Sequence, residues 1–275
     1  MDIVAGFNVL VAFFEHVDIL MMVFVRVLGF IMIVPVMSSQ NLFGQGRLFL
    51  AFTVAIAIFM SGVVGTIDFV DTTPGYVYLI LQEFMVGMFM GYVTTAVFNL
   101  MLFAGQMMDH QIGFMMVNVM DPMTQIQVPI VGNLYHFMLL AMVVVTGGIH
   151  AFFEAFFFSY QVLPIGTAVV IGNERLAWYF VHLMVESMVL AAQIAMPIVG
   201  TMMVVNVALG LVVKTVPQLN VFSVGLPLKI ILGVSLLYLV VTPHFGTYFR
   251  YIFEMAELGL WEVMHGMQPT QGMVP

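Results

Sequence analysis

Residues 48–67 read LFLAFTVAIAIFMSGVVGTI, a stretch of 20 residues without a charged side chain. A helix needs about 20 mostly apolar residues to cross the hydrocarbon core of a bilayer. The whole chain has the same character, because 63% of its 275 residues are hydrophobic and only 7% are charged. Globular domains carry roughly 25% charged residues. The composition therefore predicts an all-α integral membrane protein.

Six apolar stretches follow one another, separated by short connections that contain Gly, Pro and polar residues. We therefore expect about six hydrophobic helical segments within a single membrane-embedded domain, residues 1–275. The segments are 19–37, 48–67, 76–108, 134–161, 176–213 and 230–248. Glycine and proline interrupt several of them, and such breaks require neighbouring protein to satisfy the freed backbone groups.

The basic residues favour one orientation of these segments. Six crossings leave three basic residues on one side and two on the other: Arg47, Lys214 and Lys229 against Arg175 and Arg250. Because Lys and Arg accumulate in cytoplasmic loops, this bias predicts that both termini lie outside the cytoplasm.

Composition and motifs exclude several functions. The net charge is -8, from 14 acidic and 6 basic residues, which argues against nucleic acid as a partner because phosphate contacts need Lys and Arg. There is no cysteine, so thiolate metal sites are excluded. No nucleophile elbow, phosphate-binding glycine loop or HExxH motif occurs. We therefore expect a protein that is not an enzyme and has no cofactor and no metal.

Charged residues inside apolar segments are functional candidates, because each costs about 2.5–3.5 kcal/mol at a helix centre. Two of the acidic residues follow a histidine by four positions, and such residues share one helix face. One hypothesis is a proton relay or a two-helix metal site. The favoured alternative is that each histidine satisfies its own acid, or that these groups meet partner chains. The residues predicted to be buried are Arg26, Glu83, His150, Glu154, His182 and Glu186.

A small-xxx-small pattern, GMFMG, occupies residues 87–91. Such patterns let two helices approach closely in a membrane. We predict a helix-packing contact here.

Five stretches together resemble the FliR family of flagellar type III export-gate proteins, which has injectisome relatives. The most specific is KTVPQLNVFSVGLPLKI at 214–230. Supporting stretches are RVLGFIMIVP at 26–35, GQMMDHQIGFMMVNVMDP at 105–122, SYQVLPIG at 159–166 and AMPIV at 195–199. The resemblance covers nearly the whole chain.

The resemblance implies a subunit of a closable, non-enzymatic channel that passes unfolded flagellar proteins across the bacterial inner membrane at the flagellar basal body. It implies Pro/Gly-interrupted hairpins that pack in a hetero-oligomeric helical gate with FliP and FliQ, with FlhB and FlhA nearby. It also implies a cytoplasmic loop at 214–229, in agreement with the charge bias. The residues assigned to this loop are Lys214, Pro217, Gln218, Asn220 and Lys229.

The stretch 105–125 is predicted to be a central plug-like loop. Its composition, a glycine followed by bulky soft side chains, suits a seal better than a catalyst, because hydrophobic constrictions gate by dewetting. The resemblance likewise implies a plug inside the gate. The predicted sealing residues are Gly113, Phe114, Met115, Met116 and Met120, and the predicted hinge or cap residues are Asp109, Asp121 and Pro122.

A different class of function stays open from the residues alone. The chain would be a proton- or ion-coupled secondary transporter that uses Glu83, Glu154 and Glu186. Transporters usually show interrupted helices in two related halves, and the sequence shows no clear internal repeat. An intramembrane enzyme is a weaker third hypothesis, because no nucleophile–base pair is visible.

Overall fold

The computed structural model describes residues 17–35, 44–64, 73–119, 129–166, 174–216 and 221–268, and these residues form helices and no strand. The helices are α1 (Val17–Ile33), α2 (Gly44–Met60), α3 (Thr73–Ile112), α4 (Phe114–Val119), α5 (Ile130–Val145), α6 (Gly148–Val162), α7 (Glu174–Thr215), α8 (Val221–Leu236) and α9 (Thr242–Gly266). A π-helical segment, Leu237–Val241, joins α8 to α9 without a break. The described residues thus have the predicted all-α architecture.

The chain separates into two compact units. The first comprises Met1–Thr95, Ile149–Val181 and Glu257–Pro275, and the second comprises Ala96–Gly148 and His182–Ala256. The boundaries fall inside α3, α6, α7 and α9, so these helices contribute residues to both units. The single domain expected over 1–275 stays a prediction.

In the first unit, glycines bring α1 and α3 into backbone contact. A Cβ atom on Gly87 would clash with the carbonyl group of Arg26, and one on Gly29 would lie 2.7 Å from the carbonyl oxygen of Phe84. Gly91 faces Phe30 of α1 in the same way. The pattern at 87–91 is therefore a helix-packing contact, as predicted, and its partner is α1.

In the second unit, α3 and α5 cross at a pair of glycines. A Cβ atom on Gly105 would clash with the backbone of Gly132, and one on Gly132 would lie 2.8 Å from the carbonyl oxygen of Leu102. Only residues without a side chain permit this approach. The contact places the end of α3 against the start of α5.

Three helices are long and apolar enough to cross a membrane within the described residues: Pro74–Ile112, Glu174–Thr215 and Ser223–Gly266. A fourth span results if α5 and α6 count as one span broken at Thr146 and Gly147, where Gly147 has a φ of 75°. The shorter helices α1 and α2 have 17 residues each, roughly 25 Å at 1.5 Å per residue. Within the described residues, the six apolar segments are thus mostly helical, while the number of candidate spans is smaller.

We expect the substitution Gly87→Ala to destabilise the protein by about 1–3 kcal/mol, as overpacking usually does, because the added methyl group would meet the Arg26 backbone. The matched control is Gly46→Ala in α2, whose Cβ would meet nothing within 4 Å. The thermal midpoint of each variant is measured by heating detergent-solubilised membranes and following how much of the tagged chain stays soluble. Equal midpoints for the two variants would contradict the close contact.

Candidate functional site

A buried arginine links three parts of the first unit. The Nε atom of Arg26 in α1 donates to Glu83 Oε2 in α3 at 2.5 Å. The two terminal nitrogens donate to the Ser159 hydroxyl oxygen of α6 at 3.4 Å and to the Leu163 carbonyl oxygen at 3.0 Å. Both charged side chains are almost fully inaccessible to solvent. A buried charge is tolerated only when it is paired and hydrogen-bonded, and each of the three guanidinium nitrogens of Arg26 donates one hydrogen bond here.

An aromatic ring completes this cluster. The guanidinium carbon of Arg26 lies 4.3 Å from the centre of the Tyr160 ring, and a cation over a ring face is attracted by the ring quadrupole. Tyr160 itself is buried, and its ring packs edge-on against the ring of Phe156. Arg26 and Glu83 are thus buried within this chain, and their contacts are those of a cross-link between helices.

The other four residues predicted to be buried are exposed, which corrects the expectation. His150 and Glu154, both described residues of α6, are exposed and are joined by no hydrogen bond or ion pair. His182 and Glu186 form the expected pair, with Nε2 and Oε1 3.0 Å apart, but on the exposed surface of α7. Hydropathy reports apolar neighbours along the sequence, and these can be buried, as Phe152 is in α6, or exposed, as Val181 and Val185 are in α7. Apolar sequence therefore did not imply burial inside this chain.

Replacing Glu83 with leucine is expected to destabilise the chain by about 3–5 kcal/mol, since it leaves a buried arginine without its counter-charge. The double substitution Arg26→Met with Glu83→Leu should recover most of this loss. The amount of folded chain in membranes and its thermal midpoint in detergent measure both effects. The matched control, Glu186→Gln, removes an exposed charge and should change stability by about 1 kcal/mol or less. A double variant no better than Glu83→Leu would show that the charge pair is not the cause.

In the second unit, a carboxylate from α3 caps the first turn of α5. Helix α5 is preceded by Pro129, whose side chain makes no capping hydrogen bond. The Asp109 carboxylate, which is fully buried, instead accepts a hydrogen bond from the Val131 amide at 3.1 Å and another from the Gly132 amide at 3.4 Å. First-turn amides have no intrahelical acceptor, and a negative charge is favourable at a helix N-terminus. Asp109 thus satisfies both requirements.

The helix breaks immediately after this anchor. Gly113 has a φ of 95°, a conformation that only glycine adopts without strain. Its amide still donates to the Asp109 carbonyl oxygen at 3.0 Å, and a Cβ atom there would lie 3.1 Å from a methyl group of Leu226. The turn after it is α4, in which Phe114 and Met115 are half-buried and Met116 is 50% exposed.

The expected loop at 105–125 needs correction. Residues 105–112 continue α3, and residues 114–119 form α4, so the described part is helical apart from Gly113. Gln111 in this part accepts a hydrogen bond from the Asn206 side chain of α7 at 3.4 Å. The turn residues in the sequence pointed to a loop, but a single glycine suffices to redirect the helix. The predicted residues Met120, Asp121 and Pro122 lie outside the described residues.

The expected loop at 214–229 is also shorter than predicted. Lys214 lies in the last turn of α7, and Lys229 is half-buried within α8, which begins at Val221 and contains Pro227. Pro227 lies inside α8, where it lacks an amide donor without ending the helix, so it did not mark a turn. Pro217, Gln218 and Asn220 lie outside the described residues.

Sequence reasoning missed several partners of these sites. It did not find Ser159, Tyr160 and the Leu163 carbonyl group around Arg26, nor the pairing of Gly105 with Gly132. Each contact joins residues distant in the sequence, and no local pattern identifies the partner. One signal was available for Asp109, because Pro129 cannot cap the helix that follows it. Within the described residues, no group of three or more His, Asp or Glu side chains forms a candidate metal site.

We expect Asp109→Ala to destabilise the second unit by about 1–2 kcal/mol, since the first-turn amides of α5 lose their acceptor. Asp109→Asn keeps an acceptor oxygen and should recover part of that loss. The matched control is Glu154→Ala, which removes an exposed carboxylate that makes no such bond. Proteolytic sensitivity of the chain in membranes, mapped by mass spectrometry around residue 130, reports the change. Identical sensitivity for Asp109→Ala and Glu154→Ala would contradict the capping role.

Comparisons with known proteins give consistent matches. The family model for the bacterial export proteins, family 1, matches residues 17–256 of this sequence. The flagellar biosynthetic protein FliR of Bacillus subtilis is 32% identical over 225 residues, which cover 80% of this chain and 84% of that relative. FliR of Escherichia coli is 24% identical over 212 residues, covering 77% and 80%. The Yop proteins translocation protein T of Yersinia pestis is 25% identical over 205 residues, covering 74% and 78%.

Proposed function

The chain belongs to family 1 of the bacterial export proteins, and from this premise we propose that it is a subunit of the flagellar type III protein export gate. The chain is a membrane-embedded component of a type III export apparatus, and its family is a structural part of that apparatus. The proposal adds that it helps to form a closable channel for unfolded flagellar proteins in the bacterial inner membrane.

The observation that carries the flagellar assignment is the similarity to FliR of Bacillus subtilis along most of both chains. The injectisome relative of Yersinia pestis is 25% identical over a smaller part of this chain. Both belong to export systems, so the difference concerns what is exported. We therefore assign flagellar proteins as the cargo.

The proposed plug is α4 with the residues that follow it. Phe114, Met115 and Met116 supply apolar side chains on a short helix that follows Gly113. The helix before this glycine is fixed by the Asp109 cap and the Gly105 crossing. A bulky apolar segment on a fixed base suits a seal, because a narrow apolar constriction excludes water and ions. This arrangement supports a channel that is closed at rest.

Assembly with other export components is supported by the length of the helices. Helix α7 has 42 residues, roughly 63 Å at 1.5 Å per residue, and most of its surface is exposed within this chain. A bilayer core of about 30 Å covers only half of such a helix. We propose FliP and FliQ as the chains that share the gate, with FlhB and FlhA nearby.

The transporter hypothesis has less support than before. Glu83 is held in an ion pair with Arg26, and Glu154 and Glu186 lie on exposed helix surfaces. A coupling site requires acidic groups that face a shared cavity or bundle interior, and these three positions provide none within the described residues. The gate is therefore the function that we propose.

Deleting the gene tests the function directly. The mutant bacterium should secrete no hook or flagellin subunits into the medium, and a plasmid copy should restore secretion. Affinity purification of the tagged chain in mild detergent should recover other membrane components of the apparatus. Normal secretion in the deletion strain, or a stable homo-oligomer that binds a solute, would overturn the proposal.

Replacing Phe114, Met115 and Met116 together with alanine should increase ion leak through the assembled gate, because the apolar side chains that exclude water are removed. The readout is cytoplasmic pH or potassium loss in cells that express the complete apparatus. The control replaces Phe49 and Met60 with alanine. Both are exposed apolar residues of α2, and their replacement should leave the ion leak unchanged. A plug variant that assembles normally and does not leak would count against a seal at α4.

A further inference from the structure

We infer that the exposed face of α7 around His182 and Glu186 docks a helix of another export-apparatus chain that presents a lysine or arginine to Glu186. This inference rests on the proposed function, since it concerns a partner within the same apparatus. It is carried by three features of α7: the paired charges, the apolar residues beside them and the position of the pair along the helix.

The pair occupies an exposed, otherwise apolar surface. The Nε2 atom of His182 lies 3.0 Å from Glu186 Oε1, and the two side chains are 68% and 52% exposed. Within the described part of the chain, Glu186 forms no ion pair other than the one with His182. Val185, Met188 and Val189 on the adjoining positions are each at least 50% exposed. A carboxylate with a free oxygen among large apolar side chains fits a mixed protein interface, where a buried cation would complete it.

The position of the pair places it away from the lipid core. Residues 187–213 contain no Asp, Glu, Lys or Arg, and this run of 27 residues is roughly 40 Å long as a helix. It exceeds the bilayer core of about 30 Å even at the usual tilt of about 20°. The run ends at Lys214 on one side and at Glu186 on the other. Glu186 therefore lies at or beyond the membrane boundary, where lipid tails do not cover Val185.

Charge favours protein over lipid as the occupant. The membrane attracts clusters of Lys and Arg through its anionic headgroups, whereas this site carries a carboxylate and the chain has a net charge of -8. A basic side chain on a partner helix is complementary to the carboxylate and to the negative net charge of the chain. The apolar neighbours Val185 and Val189 follow the spacing that contacts a helix packed alongside.

Photo-cross-linking in cells that contain the complete apparatus tests the inference. A photoreactive amino acid in place of Val185 should give a cross-link to a different polypeptide of the apparatus. A second position, Val189, provides the same measurement if the first variant does not accumulate. Adding Glu186→Lys should reduce the cross-link about tenfold or more, because like charges would oppose each other at the contact. The matched control, Glu154→Lys, reverses another exposed acid, on α6, and should leave the cross-link unchanged.

A charge exchange completes the test. Changing the basic residue of the cross-linked partner to glutamate should restore the cross-link to the Glu186→Lys variant. Cross-linking only to lipid, cross-linking to a second copy of this chain, or a cross-link insensitive to Glu186→Lys would overturn the inference. These results are separable from a failure of the proposed function, because the gene deletion would still abolish secretion in each case.

Discussion

No water is available in an apolar environment to satisfy a charge or a backbone amide, and this constraint explains the buried charged sites at Arg26 and Asp109. Arg26 distributes its donors over a carboxylate, a hydroxyl and a carbonyl oxygen, while its face lies against an aromatic ring. Asp109 accepts from amides that would otherwise be unsatisfied. In both cases a long-range polar contact fixes which helices pack together. Apolar packing alone is less selective, since lipid tails and leucine side chains are similar solvents for a helix.

Glycine contacts and polar contacts act on the same pairs of helices. Helices α1 and α3 meet at Gly29 and Gly87, one turn from the ion pair between Arg26 and Glu83. Helices α3 and α5 meet at Gly105 and Gly132, and the Asp109 cap lies one turn away. Close backbone approach brings the polar groups within hydrogen-bonding distance, and the polar groups determine the register. The two kinds of contact therefore depend on each other.

The sequence predicted the class of the fold well and the site only in part. Apolar runs gave the helical segments, and the spacing of Gly87 and Gly91 identified a packing face. The pairing of His182 with Glu186 also followed from helical spacing. Burial could not be predicted in this way, because an apolar run looks the same in the sequence whether its residues face this chain, lipid or another subunit. The helical course of 109–119 and of 221–229 was missed for a related reason: glycine and proline mark places where a helix can break, while tertiary contacts decide whether it does.

The π-helical segment at Leu237–Val241 has a consequence for how α8 and α9 present their surfaces. Pro243 has no amide hydrogen, and the Thr242 hydroxyl and the His244 ring contact the Leu237 and Val240 carbonyl oxygens. The wider turn accommodates one extra residue, which rotates everything after it by about 100° relative to a regular helix. Side chains that share a face before the segment are thus out of phase with those after it. The two parts of this uninterrupted helix, α8 and α9, can therefore turn the same kind of side chain toward different surroundings without a loop between them.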